Sequence, residues 1–578
     1  MNIARLIRIA RGLEPADLLV RDVRLVNVLS GEIHPAHVAV ADGIVVGFEE
    51  VEAQEVLDAG GRFCCPGLID GHIHIESTLL TPPRFAEAAA RHGTAAVVCD
   101  PHEIANVLGV AGVEYMLAVS EGLPLSFCFM APSCVPATHL EAAGAELTAE
   151  DIRGLLARHP GRMLGLGEMM NFPGVLFGDP GVLAKLDAAR GRVIDGHAPL
   201  VSGRDLSAYA LAGPMSDHES IHADEARERL RKGLHVMLRE GTQERNMADL
   251  LPAVNEFNSQ RTMLVSDDRL ADDLLSRGHM DAAVRKAIAL GVPAVRAVQM
   301  ASINPARYFG LDRGRDGPHG GHGAVAPGFR ADFVLLDDLE EFRIHSCHLG
   351  GRDVRGLDFP PRAVAPGGSV RIRRLDEEAL AIRAGKGRIR VIGVRPGQIV
   401  TEHLLMEPCI RDGLAVADPD RDLAKLAVFE RHRATGNVGL GFVTGLGLSR
   451  GALASSVAHD SHNLIVAGAD DADMLVAARA VERMGGGLAV ADSGRVVAEL
   501  ALPVAGLMSE EPAAEVAARM AEVNRALAEL GLALRSPFAA LSFLALPVIP
   551  ALKLTDKGLV DVGRFAYAAL WEESASTS

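Results

Sequence analysis

Residues 65–77 read CPGLIDGHIHIES, an apolar run that ends in His72 and His74 with Asp70 and Glu76 beside them. In a β-strand, side chains two apart point to the same face. Two imidazoles on one face at a strand's end can hold one metal ion. They can equally be two ordinary histidines on a half-wet strand, so the stretch acquires meaning only from what surrounds it.

Beyond it the chain repeats a rhythm of strand, loop and helix. The strand segments are PGLIDGHIHI, TAAVVCDPHE, LSFCFMAPS, MLGLGEMMN, RVIDGHAP, PMSDHES, LHVMLREG and TMLVSDD. Helix-like stretches such as PPRFAEAAARHG, TAEDIRGLLARH and HADEARERLRKG lie between most of them. Eight such units over about 250 residues predict an α/β fold of the (β/α)8, TIM-like barrel type; a doubly wound open sheet is the alternative and rarely needs eight.

Outside this unit the pattern changes. From Ala16 to Phe63, short β-branched runs (DLLVRDVRLVNV, HVAVADGIVVGF) alternate with Gly, Asp and Pro and predict small antiparallel strands. HGAVAPGFRADFVLLDD, from His322, returns to strand character and can complete that sheet. The expected organisation is a small flanking β-sandwich subdomain of residues 1–64 with 322–370, the barrel over 65–321, and an additional C-terminal α/β domain over 371–578. GLDFPPRAVAPGGSVRIRRL is expected to be a linker and the terminal EESASTS to fray. The Gly-rich stretches GNVGLGFVTGLGLSRG and MGGG lack the strand–GxGxxG–helix setting of a dinucleotide site and read as turns.

The 578 residues exceed one hydrophobic core, so several domains are expected. With 48% hydrophobic and 23% charged residues, the chain is globular rather than disordered. A net charge of −17 argues against a nucleic-acid partner, because a phosphate backbone needs clustered Lys and Arg. Seven cysteines, an odd number without a CxxC pair, suit reduced thiols better than a disulfide framework. The start, MNIARLIRIARGLEPADLLV, is interrupted by Arg5, Arg8 and Arg11 and predicts an amphipathic helix rather than a signal peptide. No apolar run is long enough to span a bilayer. A cytoplasmic protein with no membrane partner is expected.

In a barrel, reactive groups gather at the C-terminal ends of the strands. Strand one ends in His72 and His74, strand two in Asp100, His102 and Glu103, and strand four in Glu168. Strand five ends in His197, strand six in His218 and Glu219, strand seven in Arg239 and Glu240, and strand eight in Asp267 and Asp268. Each has an ordinary reading alone: a lone His after a strand is a satisfied loop or core residue, Asp267-Asp268 caps the helix RLADDLLSR, and Glu168 is an exposed loop acid. Scatter does not put imidazoles or carboxylates at nearly every strand end of one rim. Four imidazoles and two carboxylates exceed the needs of one tetrahedral ion and suit two ions sharing a bridging carboxylate. An N/O set without thiolate fits Mn, Fe or Zn. Such an ion lowers the pKa of its water to about 7. Asp267 can both ligate and take that water's proton, and Asp268 or Glu219 can deliver one to a leaving group. The implied chemistry is hydrolytic.

These residues resemble the amidohydrolase superfamily, in PGLIDGHIH, the later histidines, the strand-eight Asp and APGFRADFVLLDD. Within it, the chain is similar to the bacterial, metal-dependent adenine deaminase family. The similar stretches are IDGHIHIEST, DPHEIANVLG, GEMMNFPGV, SGRDLSAYALAG, SDHES, MLREGT and SDD, with RHRATGNVGLGFVTGLGLSRGALASSVAHDSHNLIVAG and LSFLALPVIPALKLTDKGL in the C-terminal half. The resemblance implies hydrolytic deamination of adenine to hypoxanthine and ammonia, a purine-salvage reaction, by metal-bound hydroxide attacking C6. It implies two divalent metal ions per chain, manganese first and iron or zinc as alternatives. His72 and His74 would bind one ion, Glu168 would bridge where many relatives use a carboxylated lysine, His197 and His218 would bind the second, and Asp267 would be the strand-eight ligand. Strand four offers no lysine, which fits the Glu168 assignment. Attack on an uncharged base requires ring protonation, by Asp268 or Glu219, which the sequence does not separate. His102 and Glu103 would be contacts of the ligands or of the substrate, and Arg239 either donates to the purine or forms a salt bridge. His459, Asp460, Ser461 and His462, in AHDSHN, either close over the pocket, bind another ion or form a polar turn at a domain interface. A small purine base is the expected partner, and a homodimer follows from the superfamily's habit.

Two other readings compete. Another amidohydrolase reaction, on a cyclic amide or an N-acyl substrate, would share every ligand. A non-catalytic protein that kept the fold would be expected to have lost one, whereas all six positions are filled. A nucleoside is disfavoured, because adenosine-acting deaminases carry a different motif set with one metal.

Overall fold

The computed structural model describes residues 2–314, 320–360, 366–396 and 398–572. Part of the expected linker, 361–365, and all of the expected frayed end 572–578 but Glu572 lie outside the described residues; Glu572 N donates to Arg388 O (2.8 Å). The first helix, Ile3–Ala10, is amphipathic as predicted: it buries Leu6 and Ile9, and Asn2 caps its start.

All eight predicted segments form strands: β1 (Leu68–Ile73), β2 (Thr94–Cys99), β3 (Ser126–Ala131), β4 (Met163–Met169), β5 (Val193–Gly196), β6 (Ser216–Asp217), β7 (His235–Arg239) and β8 (Thr262–Val265). Nearly every residue in them is buried, as strands covered on both faces require. They pair in parallel and in chain order as two sheets, β1 to β5 and β6 to β8, rather than as one ladder. β6 is only two residues long, and Pro214 just before it lacks the N–H that would extend it backwards. Both seams are nonetheless stitched. Met215 N donates to Ile194 O (2.9 Å) at one, and Asp267 N donates to His72 O (3.0 Å) at the other.

A separate sheet of eight strands combines residues 16–66 with 333–353. Phe333–Asp338 pairs antiparallel with Phe63–Pro66, so the chain returns to the N-terminal sheet as expected. Hydrogen bonds link these strands into one branched ladder, and side chains from its two ends, Val40 and Val45 with Phe333 and Leu335, share one buried cluster. One expectation is corrected here: the strands are not all antiparallel, because Ala16–Asn27 runs parallel to both Ala53–Asp58 and Phe63–Pro66. After the hairpin that includes Ile44–Gly47, the chain crosses to the other edge of Ala16–Asn27, and a crossover lands in parallel.

Residues 389–501 build a further mixed eight-stranded sheet. The helix Asp471–Met484 packs on it, started by Asp470, whose carboxylate accepts from Asp473 N, and ended by Gly485 at φ 74°. The helix Ala513–Glu529 packs both on this sheet's edge strand and on the helix Ala271–Arg277, which follows β8. One hydrophobic core runs from Val26 to Leu559, so the C-terminal region is packed against the rim strands rather than tethered to them. Among the described residues, no helix is long and apolar enough to cross a membrane.

Candidate metal centre

The ends of the parallel strands meet in one buried cluster. Asp70, two residues before His72, accepts from Ser266 N (3.1 Å) and Ser266 Oγ (2.5 Å) and lies 3.0 Å from His279 Nε2, which ties β1 to β8 beneath the site. His74 Nδ1 donates to Asp100 O (2.9 Å), which leaves Nε2 aimed inward as the nitrogen that can ligate once deprotonated. That Nε2 lies 3.2 Å from Asp267 Oδ1 and 3.5 Å from Glu168 Oε1. His72 Nε2 is 3.5 Å from the same Asp267 oxygen and makes no hydrogen bond. On the other side, Glu168 Oε2 lies 2.8 Å from His197 Nδ1 and 2.9 Å from His218 Nε2, and these two nitrogens are 3.2 Å apart. The His72 and His218 rings stack at 4.2 Å, closing the group.

The bland readings of single residues fail here. Glu168 sits buried in β4, not in an exposed loop, with its amide held by Asp100 Oδ2 (2.8 Å). Asp267 and Asp268 do not cap the next helix: Leu270 occupies that position without a side-chain bond. Asp267 adopts a left-handed φ of 58°, which Asp tolerates better than most residues, and its amide is pinned to His72.

The electrostatics call for positive charge. Burial alone would raise Glu168 and Asp267, yet the facing imidazoles hold both well below the usual carboxylate range. Against the same burial penalty, Glu219 and Glu168 push His197 up to about 9, and Asp267 and Glu168 push His74 well up. Four imidazoles and two carboxylates therefore gather with ligand atoms of each subgroup within 4.8 Å, no thiolate among them, and the second ring nitrogen of His74 anchored. This donor set fits borderline divalent cations, and the orphaned His72 Nε2 fits a ligand role.

Around this core the remaining predicted residues divide. Arg239 forks onto Glu219, through Nη1 to Oε1 and through Nη2 to Oε2 (3.2 Å), and its Nη1 also reaches Asp267 Oδ2 (2.9 Å). Of the two readings for Arg239, the salt bridge is the one formed. Glu240 turns away to Lys286 Nζ (2.5 Å). Asp268 lines the cavity, and its carboxylate accepts from Ser77 Oγ. Burial, and beyond it the charge of Asp267, pushes the Asp268 pKa up, although His459 works the other way. His102 stands between the groups, with Nδ1 3.4 Å from Glu168 Oε1 and Nε2 3.5 Å from Glu103 Oε1.

The C-terminal region closes the cavity. His459 and Asp460 line it together with Ile399, Phe543, Leu546 and Ile549. His462 lies behind them and grips Glu103. Sequence reasoning missed the apolar wall, because apolar residues in a distant domain carry no chemical signature. It also missed Glu244, a buried cavity residue with both carboxylate oxygens unpaired, which burial pushes up to about 8. Its only sequence signal is that it follows β7 within the rim loops.

Comparison with known proteins bears on the same residues. Residues 63–370 match the amidohydrolase family, and residues 398–566 match the adenine deaminase C-terminal domain. The chain is 63% identical to an adenine deaminase of Oleidesulfovibrio alaskensis, with 98% of each chain covered. It is 49% identical to an adenine deaminase of Desulfatibacillum aliphaticivorans, covering 98% of this chain and 99% of that one. A solved structure of an adenine deaminase matches 58% of this chain and 99% of its own at 14% identity, with a TM-score of 0.44.

Proposed function

The chain belongs to the adenine deaminases of the amidohydrolase family, and we propose that it hydrolyses adenine to hypoxanthine and ammonia at the buried cluster of strand-end histidines and carboxylates. The observation that carries the substrate is the full-length identity to adenine deaminases; the donor set supports the hydrolytic chemistry. In this reading the two parallel sheets act as one (β/α)8 barrel, flanked by residues 1–64 with 322–370 and by a C-terminal domain over 371–578. His72, His74 and Asp267 would hold one divalent ion, His197 and His218 the other, with Glu168 facing both. Manganese leads, with iron or zinc as alternatives. When bound, such ions acidify a water and so supply hydroxide near neutral pH.

The chain's own residues handle the protons and the base. Asp267 is placed to take the proton that the water gives up. Between the two candidate donors, Glu219 has both oxygens committed to the Arg239 fork, whereas Asp268 has the Ser77 hydroxyl as its side-chain partner and faces the cavity. Asp268 is therefore the residue that gives its proton to the ring; of the attacking water's two protons, the one taken by Asp267 leaves with the amine as ammonia, and the other, released as the C6 oxygen becomes a carbonyl, recharges Asp268. Arg239 fixes Glu219 and Asp267 in place rather than contacting the base. The apolar wall of Ile399, Phe543, Leu546 and Ile549 excludes water and offers a flat base a surface to stack on.

The test is adenine turnover by the purified protein, followed by ultraviolet change and ammonia release. Metal-stripped protein is compared with protein reloaded with Mn, Fe or Zn, and adenosine and a cyclic amide serve as controls. Metal-dependent turnover of adenine alone is expected. Turnover of the cyclic amide with adenine inert would overturn the reading.

A further inference from the structure

We infer that His459, delivered by the C-terminal region, hydrogen-bonds the purine through Nε2, and that Glu103, itself gripped by His462, aims it. The inference rests on the adenine reading and deepens it by naming a contact of the base from outside the parallel-strand unit.

His459 lines the metal-centre cavity and also the adjoining, mainly apolar cavity that shares Asp268 and Phe543 with it. Two contacts fix its ring and a third its backbone. Nδ1 lies 2.8 Å from Glu103 Oε1, the backbone N donates to Ser542 Oγ (3.1 Å), and the ring stacks on Phe543 at 4.6 Å and 17°. Nε2 is the polar atom of the ring with no hydrogen-bond partner among the described residues. A histidine whose Nδ1 is held by a carboxylate presents its Nε2 in a fixed direction.

The trio of Glu103, His459 and His462 invites a second interpretation, as a third metal site. The hydrogen bonds argue against it. His462 Nδ1 accepts from Ala458 N (3.2 Å), so the His462 proton resides on Nε2, where it is donated to Glu103 Oε2. A ligating imidazole needs the reverse, a donor at the far nitrogen and a lone pair at the near one. The trio is a brace.

Adenine carries acceptor nitrogens around both rings. The Glu103 charge overcomes the burial penalty and pushes His459 up to about 10, so Nε2 carries a proton and donates. A donor at a ring nitrogen both orients the base and stabilises the negative charge that attack at C6 places on the ring.

The experiment uses the full-length, metal-loaded enzyme as wild type, His459→Asn, His459→Gln and Glu103→Gln. Bound metal, kcat and KM for adenine, and the inhibition constants of 1-, 3- and 7-deazaadenine are measured. The expected result is unchanged metal content and kcat/KM about 10- to 100-fold lower in both His459 variants, as for loss of a charge-assisted hydrogen bond, with a smaller loss in Glu103→Gln. One deaza compound, lacking the contacted nitrogen, should bind wild type weakly and be indifferent to the His459 substitutions, while the other two lose affinity. Wild-type kcat/KM in His459→Asn, equal losses on all three compounds, or loss of bound metal would each overturn the inference. So would three deaza compounds that wild type does not distinguish, a readout independent of how any variant folds. A wild type inert toward adenine sinks the parent reading as well; an active wild type beside an indifferent His459→Asn sinks this inference alone.

Discussion

Two buried groups of histidine and glutamate lie side by side in this protein, and the other nitrogen of the ring tells them apart. In the rim cluster, His74 spends Nδ1 as a donor to Asp100 O, so that Nε2, facing Asp267 and Glu168, becomes a lone pair once its own proton is lost. In the C-terminal brace, His462 spends Nδ1 as an acceptor from Ala458 N, which leaves a protonated Nε2 facing Glu103. The residue types are the same and the burial is the same. One arrangement is open to a cation, the other is closed on itself by hydrogen bonds. Proximity of ligand-type residues is therefore insufficient evidence of a metal site, and the backbone groups behind the rings carry the distinction.

The largest effect expected from that contrast concerns metal retention. Glu168→Gln removes the carboxylate that both His197 and His218 face, so bound metal and activity should fall together. Loss of an outer contact of a ligand costs about 10- to 100-fold in metal affinity, and loss of a ligand should exceed that range. Glu103→Gln should keep its metal after gel filtration. Elemental analysis of the two variants side by side checks this, and metal loss in Glu103→Gln would erase the difference between cluster and brace.

A smaller effect separates the two proton-donor candidates. Asp268→Asn should lower kcat by about 10²- to 10⁴-fold, the usual range for a lost general acid, with metal content and thermal stability kept. Glu219→Gln should act differently, because it leaves the buried Arg239 guanidinium half-paired. Breaking a buried pair costs about 3–5 kcal/mol, so its signature is a shifted urea midpoint. A larger kcat loss in Glu219→Gln at unchanged stability would reverse the assignment.

Much of this site was legible in the chain, for a physical reason. Buried parallel strands are apolar runs, and the polar residues that interrupt them at their ends stand out, as His72, Glu168, His218 and Asp267 do. What stayed illegible depends on distant partners. Asp268 and Glu219 look alike in sequence, and only the fork from Arg239, carried on another strand, commits Glu219. The AHDSHN segment left three readings open, since His459 and His462 acquire opposite tasks through Glu103, which lies far away in the chain. The break between β5 and β6 and the parallel pairing of Ala16–Asn27 with Ala53–Asp58 are matters of crossover geometry, to which strand-forming patterns are blind.

The smallest effect is also the one that sharpens the comparison without any substitution. In the metal-free protein, His197 is held up to about 9, because Glu219 and Glu168 outweigh the burial penalty; its ring is therefore protonated at about pH 7.5. A cation can bind it only after that proton leaves. His462 is the opposite case: burial, partly offset by Glu103, brings it down to about 4, so it is neutral throughout the working range and has no proton to release. Metal loading near neutral pH should thus expel protons from the rim cluster and none from the brace. The sign follows from mass action: raising pH toward 9 removes the competing proton, so manganese affinity should climb by about tenfold per pH unit for each proton displaced, the His197 share of that climb levelling off above about 9. Calorimetric titration with manganese in two buffers of different ionisation enthalpy counts those protons directly. A count of zero near neutral pH would mean that the rim imidazoles are already free of protons, and the electrostatic difference between the two groups would collapse, leaving only the hydrogen-bond directions to separate them.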